Sequence, residues 1–155
     1  MHKNEKLITR LYTGLKNLDA EMMLSCYHEE ATFRDPVFEL HSKKEIDGMW
    51  TMLCSRAKEF ELTFDSVQAD HSSGSAQIEA VYLFSKTGRK VHNKITAHFE
   101  FQDGLIAGHL DEFNFWKWSA MALGIPGYLL GWTPFLQKKV QAEAMKNLRL
   151  FRSSQ

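Results

Sequence analysis

Apolar residues at Leu7, Ile8, Leu11, Tyr12 and Leu15 recur at three- and four-residue intervals, the stripe of a helix that buries one face. Asp19 follows as a helix cap, and Met22, Met23, Cys26 and Tyr27 read as the inward side of a second helix. The period then falls to two. Ala31 to Val37 predicts a short strand that stops at Asp35-Pro36, because proline holds its predecessor extended and has no N–H to give a neighbouring strand. After Phe38-Glu39-Leu40, the run Ser42-Lys43-Lys44-Glu45 is a capping box opening a helix whose buried stripe is Ile46, Met49, Trp50, Leu53 and Ala57. Phe60, Leu62 and Phe64 alternate as a strand. Three longer strands are expected over Ala76 to Ser85, Lys90 to Gln102 and Leu105 to Trp116, with hairpins at Thr87-Gly88 and Asp103-Gly104. Helices first and an antiparallel meander afterwards predict an α+β fold with helices on one face of a curved sheet.

From residue 117 to 155 the pattern changes. Trp118, Met121, Leu123, Ile125, Tyr128, Leu129, Leu130 and Trp132 form an apolar stretch interrupted by Gly124, Pro126, Gly127 and Gly131, too broken and short to span a bilayer. Thr133-Pro134 then caps a last helix with Leu136, Val140 and Leu148 on one stripe. This extension carries six Lys or Arg (Lys117, Lys138, Lys139, Lys146, Arg149, Arg152) against the single acid Glu143, whereas the whole chain has a formal charge of zero. A helix closing a pocket mouth is the expected role. Contact with an anionic membrane surface is the less favoured alternative.

Composition narrows the remaining choices. With 155 residues, 44% of them hydrophobic, residues 1–155 have the size of one domain with a real core. The zero net charge argues against nucleic acid as a partner. Cys26 and Cys54 have no redox or metal spacing and residues 1–6 lack the apolar core of a signal peptide, so a reduced cytoplasmic protein is expected.

The helix-helix-strand opening that ends in Asp35-Pro36, the helix after it and the final meander together resemble the nuclear transport factor two-like superfamily, in its SnoaL-like and ketosteroid-isomerase-like branch. The resemblance covers roughly residues 5 to 116. It implies a cone-shaped domain, a curved sheet wrapped around N-terminal helices with an apolar pocket inside, usually dimeric through the outer sheet face. It also implies that Asp35 matches the proton-shuttling aspartate of ketosteroid isomerases. Their oxyanion-hole positions fall on Ala97 and on Leu11, with Tyr12 one residue off, so steroid isomerisation is not expected. Of the Asp-Arg-Asp set of limonene epoxide hydrolases only the last member remains, as Asp111; the other positions are Ile78 and Ala80. Gly108-His109-Leu110-Asp111 is similar to the histidine and aspartate pattern of SnoaL-like cyclases.

Strand alternation assembles a candidate site. If Ala97 faces inward, so do Ile95, Phe99 and Phe101, and on the last strand His109, Asp111 and Phe113. Asp35, His109 and Asp111 are the candidate catalytic residues, and Tyr12, Trp50, Tyr82, Phe84, Phe99, Phe101 and Phe113 the candidate lining of an apolar chamber. Taken alone, Asp35 is more simply an Asx-turn residue, and His109 or Asp111 a hydrogen-bonded polar core member. Taken together they can hold and move a proton near neutral pH, with one carboxyl raised in pKa. No compact ligand spacing supports a metal, and no cofactor is expected. The function expected is acid–base catalysis of isomerase, cyclase or lyase type on an apolar carbonyl-containing or polycyclic molecule; the alternative is a non-catalytic module binding a hydrophobic ligand. Val81, Leu83, Ile106, Leu110 and Trp116 are expected on the outer face, as the patch of a homodimer.

Overall fold

The computed structural model describes residues 1–155. Helices α1 (Lys3–Lys16), α2 (Ala20–Leu24) and α3 (Lys43–Arg56) pack against a sheet formed by β1 (Tyr27–Arg34), β2 (Glu39–Leu40), β3 (Glu61–Ala69), β4 (Ser73–Leu83), β5 (Lys90–Gln102) and β6 (Leu105–Glu112). The sheet is curved and unclosed, in the order β2-β1-β6-β5-β4-β3. All pairs are antiparallel except β1 with β6, which run parallel and so bring the Asp35 end of β1 beside the Asp111 end of β6. The chain ends in α4 (Phe115–Leu123), α5 (Ile125–Leu130) and α6 (Pro134–Ser153). This is the α+β layout expected from the pattern, in the cone shape that the resemblance implies.

Local chemistry explains the element ends. Asp19 accepts from the Met22 N–H at 3.0 Å and opens α2. Ser42 accepts from Glu45 N at 3.2 Å, while the Glu45 carboxylate reaches back to His41 N at 3.0 Å, one residue beyond the usual box. Asp103 and Gly104 both have positive φ, 55° and 73°, which is the geometry of a two-residue hairpin turn. Thr87-Gly88 instead sits within a longer loop closed by Phe84 N donating to Arg89 O at 2.8 Å, so β4 ends at Leu83 and not at Ser85.

Four expectations are corrected. Tyr27 is not on the second helix: α2 stops at Leu24, and Tyr27 starts a strand longer than the one read from Ala31. Leu53 is exposed, and Met52 takes its place in the α3 stripe. Trp116 lies on α4, since β6 ends at Glu112. Ile106 is fully buried rather than on the outer face. Its partner is Phe101, the next bridged pair is Glu100 with Gly108, and Ala107 is the extra residue of a bulge. The bulge shifts the alternation by one, so that Ile106 and His109 both point inward. Of the expected outer patch, Leu110 is exposed and Val81 and Leu83 are half-buried, among His92–Glu79 and His98–Glu112 side-chain contacts at 3.0 Å.

Two apolar clusters fill the inside. The larger joins Ile8, Leu11, Tyr12, Ile46, Met49 and Trp50 from the helices with Phe33, Ala97 and Phe99 from the sheet, and receives Leu148 from α6. The smaller packs Phe115, Trp118 and Ala122 of α4 on Val91, with Tyr82, Phe84 and Phe113 at its edge. No helix is long and apolar enough to cross a membrane.

Candidate functional site

Four side chains from three elements make one buried hydrogen-bond chain. Trp50 of α3 donates its indole N–H to the Tyr27 hydroxyl at 3.0 Å. That hydroxyl is 2.8 Å from His109 Nδ1, and His109 Nε2 is 2.8 Å from Asp111 Oδ1. The tautomer that satisfies every group follows from the two ends: the Asp111 carboxylate can only accept, so Nε2–H donates to it, and the indole can only donate, so the Tyr27 O–H is left to donate to Nδ1. The imidazole is walled by rings, Phe99 at 4.5 Å, Phe33 at 4.8 Å and Tyr27 at 6.1 Å between centroids. Cross-strand register sets the placement, since Phe99 lies opposite His109 and Ala97 opposite Asp111. The small side chain of Ala97 leaves the carboxylate its room.

Asp35 reaches the same region from the end of β1. Its Oδ1 accepts from Val37 N at 2.7 Å and Phe38 N at 2.6 Å, an Asx turn, while Oδ2 takes no hydrogen bond from the protein. Burial pushes its carboxyl from 3.8 up to about 7; the Phe38 N–H pulls the other way, and the nearby Asp111 charge adds to the rise. Desolvation thus outweighs the turn's hydrogen bonds. The Asx turn and the raised carboxyl coexist in one residue.

Asp35, Asp111 and Phe113 line a cleft of about 810 Å³ whose far wall is α6. Gln137 and Gln141 of α6 both donate side-chain amides to the Pro36 carbonyl at 3.0 Å, tying the helix across the Asp-Pro turn. Of the other candidate lining residues, Tyr12, Trp50 and Phe99 are core members around His109, Phe101 packs at their edge, and Tyr82 and Phe84 belong to the cluster under α4, where Trp118 donates to the Tyr82 hydroxyl at 2.9 Å. The Tyr12 hydroxyl is buried without a hydrogen-bond partner, and burial, then the Asp111 charge, raises its pKa well above 10.0.

Tyr27 is the site residue that the periodicity missed. The helical spacing of Met22, Met23 and Cys26 absorbs it, although Tyr27, Ala31 and Phe33 share the odd-numbered parity of a strand face. The two tyrosines should separate on mutation. Tyr27→Phe leaves the Trp50 N–H and His109 Nδ1 unpaired inside the protein, a loss of about 2–6 kcal/mol at 1–3 kcal/mol per buried orphan. Tyr12→Phe removes a hydroxyl with no partner and should leave stability unchanged or raised. Urea denaturation of both variants checks the contrast; equal losses would contradict the directed chain.

Comparison with solved structures returns the same fold. An LEH-like epoxide hydrolase from M. tuberculosis superposes with a TM-score of 0.66 at 15% identity, covering 83% of this chain and 96% of that one. A protein of ketosteroid isomerase-like fold from Catenulispora acidiphila, in complex with trimethylamine, gives 0.67 at 11% identity over 83% and 97% of the two chains. A polyketide-cyclase candidate from Xanthomonas campestris pv. campestris gives 0.63 at 14% identity over 77% and 96%. At such identities the likeness is one of fold alone. No curated protein sequence matches the chain. The profile of the SnoaL-like domain matches residues 8–109, from the middle of α1 to the histidine of the buried chain, and the protein therefore belongs to the SnoaL-like domain family.

Proposed function

We propose that this chain is an acid–base enzyme of isomerase, cyclase or lyase type acting on an apolar carbonyl compound, with Asp35 as the group that moves the proton. The observation that carries this reading is a carboxyl poised near 7, with one oxygen held by an Asx turn and the other free, on the wall of a cleft shared with Asp111. A base is most effective when its pKa lies near the working pH. Asp35 Oδ2 takes a proton from the carbon next to the substrate carbonyl and returns it at a second position. Asp111 is held in place by His109, whose two ring nitrogens are already engaged, so the imidazole acts through the carboxylate rather than on substrate.

Hydrogen exchange separates this from the non-catalytic alternative. In D2O the protein should speed exchange of the α-hydrogens of a bound cyclic ketone, followed by NMR. Because the ionised form of Asp35 is the base, the rate should climb with pH to a plateau above about 7. Ligand binding with no accelerated exchange at any pH would identify a binding module instead.

A further inference from the structure

The C-terminal extension divides in two. α6 lies on the body: Leu148 and Leu136 are buried and Gln137 and Gln141 clasp Pro36. α5 and its flanks do the opposite. Ile125, Tyr128, Leu129, Trp132 and Phe135 are 74, 64, 58, 67 and 69% exposed, so five large apolar side chains project from one short stretch. A projection of this kind marks a surface made to be covered.

Its polar atoms are arranged as though water were to be removed. A helix ends with four carbonyls that lack intrahelical partners. In α5 each has an internal donor: Gly127 O receives Gly131 N at 2.8 Å, Tyr128 O the Trp116 indole at 2.8 Å, Leu129 O the Trp132 indole at 3.0 Å and Leu130 O the Thr133 N–H at 2.9 Å. The indole N–H groups are consumed in the same bonds, leaving the rings as purely apolar faces. Moving this knob into hydrocarbon strands none of these groups. Charge selects the occupant. Between Glu112 and Glu143 the chain has three lysines, Lys117, Lys138 and Lys139, all exposed, and no acid. Two copies of the patch face to face would set lysine against lysine, whereas an anionic lipid surface takes both the lysines and the apolar side chains.

We propose that the α5 knob, from Ile125 to Phe135, is a membrane-surface insertion site that docks the protein on anionic phospholipid. Lys138 stands one turn from Phe135 and also lines the cleft of Asp35 and Asp111, so docking sets that cleft at the lipid surface, where an apolar substrate would be concentrated.

The full chain should be mixed with phosphatidylcholine vesicles with and without phosphatidylglycerol, and bound protein separated by flotation. Binding is expected to the anionic vesicles, weakened by roughly tenfold or more in a Leu129→Ser, Phe135→Ser double variant. It should also fall as salt rises to about 0.5 M. Unchanged thermal melting of the variant would show that the fold is intact, as exposed positions predict. Absence of binding to anionic vesicles, or binding that the substitutions leave intact, overturns the proposal. So does a wild-type dimer at micromolar concentration that the same substitutions dissociate, which would assign the knob to a second copy. The assay needs no substrate, so its outcome is independent of the exchange experiment.

Discussion

Asp35→Asn should lower the rate of ketone hydrogen exchange by about 10²–10⁴-fold, the usual contribution of a positioned general base, and at pH 8 it should make the protein more stable. The amide oxygen of asparagine can still accept from Val37 and Phe38, so the turn survives and only the proton-carrying group is lost. The stability effect follows from the carboxyl's shift from 3.8 to about 7. Between those values the folded protein keeps a proton that the unfolded chain has released, so stability falls as pH rises from about 4 to about 7 and is level above that. At 1.36 kcal/mol per pKa unit the loss is up to roughly 4 kcal/mol. Asparagine does not titrate, so the variant lacks this slope, matches wild type near pH 4 and exceeds it at pH 8. Melting curves across that range test the sign, and parallel profiles for the two proteins would mean that Asp35 is not desolvated as described.

Gly127→Ala is expected to detach α5 from α4. Alanine favours a helix over glycine by about 1 kcal/mol, yet here a Cβ would fall inside the carbonyl oxygen of Ser119, and a backbone atom cannot turn away as a side chain can. Gly131 meets Ser119 from the next turn, so two glycines four residues apart let the helices touch. The steric cost, about 3 kcal/mol or more, exceeds the propensity gain. Protection of the Gly131 amide, which donates to Gly127 O at 2.8 Å, should drop by roughly a hundredfold in hydrogen exchange. The bond from the Trp116 indole to Tyr128 O would go with it. Unchanged protection would show that α4 gives way instead.

What could be read in advance was whatever repeats locally. The α1 stripe, the Asp19 and Ser42 caps, the Asp103-Gly104 turn and the inward set Ala97, Phe99, His109 and Asp111 each follow from spacing or from one residue's preference, and the structure has them all. Asp35, His109 and Asp111 were therefore nameable, and the structure brings Asp35 and Asp111 to one cleft with His109 directly behind. Interruptions of a period were harder to see. Ser66, at φ 55°, sits in an irregularity of β3 that hides the strand's continuation to Ala69. Gly108, next to the bulged Ala107, was the available signal that β6 loses its alternation, since glycine inside a strand often marks such a place. Partners brought from far along the chain had no local signal: the indole of Trp50 on Tyr27 and the clasp of Gln137 and Gln141 on Pro36 depend on how whole elements come to rest.

The bulge at Ala107 makes β6 a matter of counting. On one side of it Ile106 belongs to the core, and on the other His109 and Asp111 belong to the site, three and five positions away, both odd numbers. Were Ala107 to take an ordinary place in the ladder with Ile106 kept inside, His109 and Asp111 would turn outward and Leu110 and Glu112 would enter the cone; the bulge absorbs one residue and so serves both flanks. Substitution at Ala107 changes one side chain and its deletion leaves the pairing register as it is, whereas one further residue inserted there without a second bulge exchanges inside for outside along the rest of the strand. What this segment must conserve is parity, a property that belongs to no single amino acid.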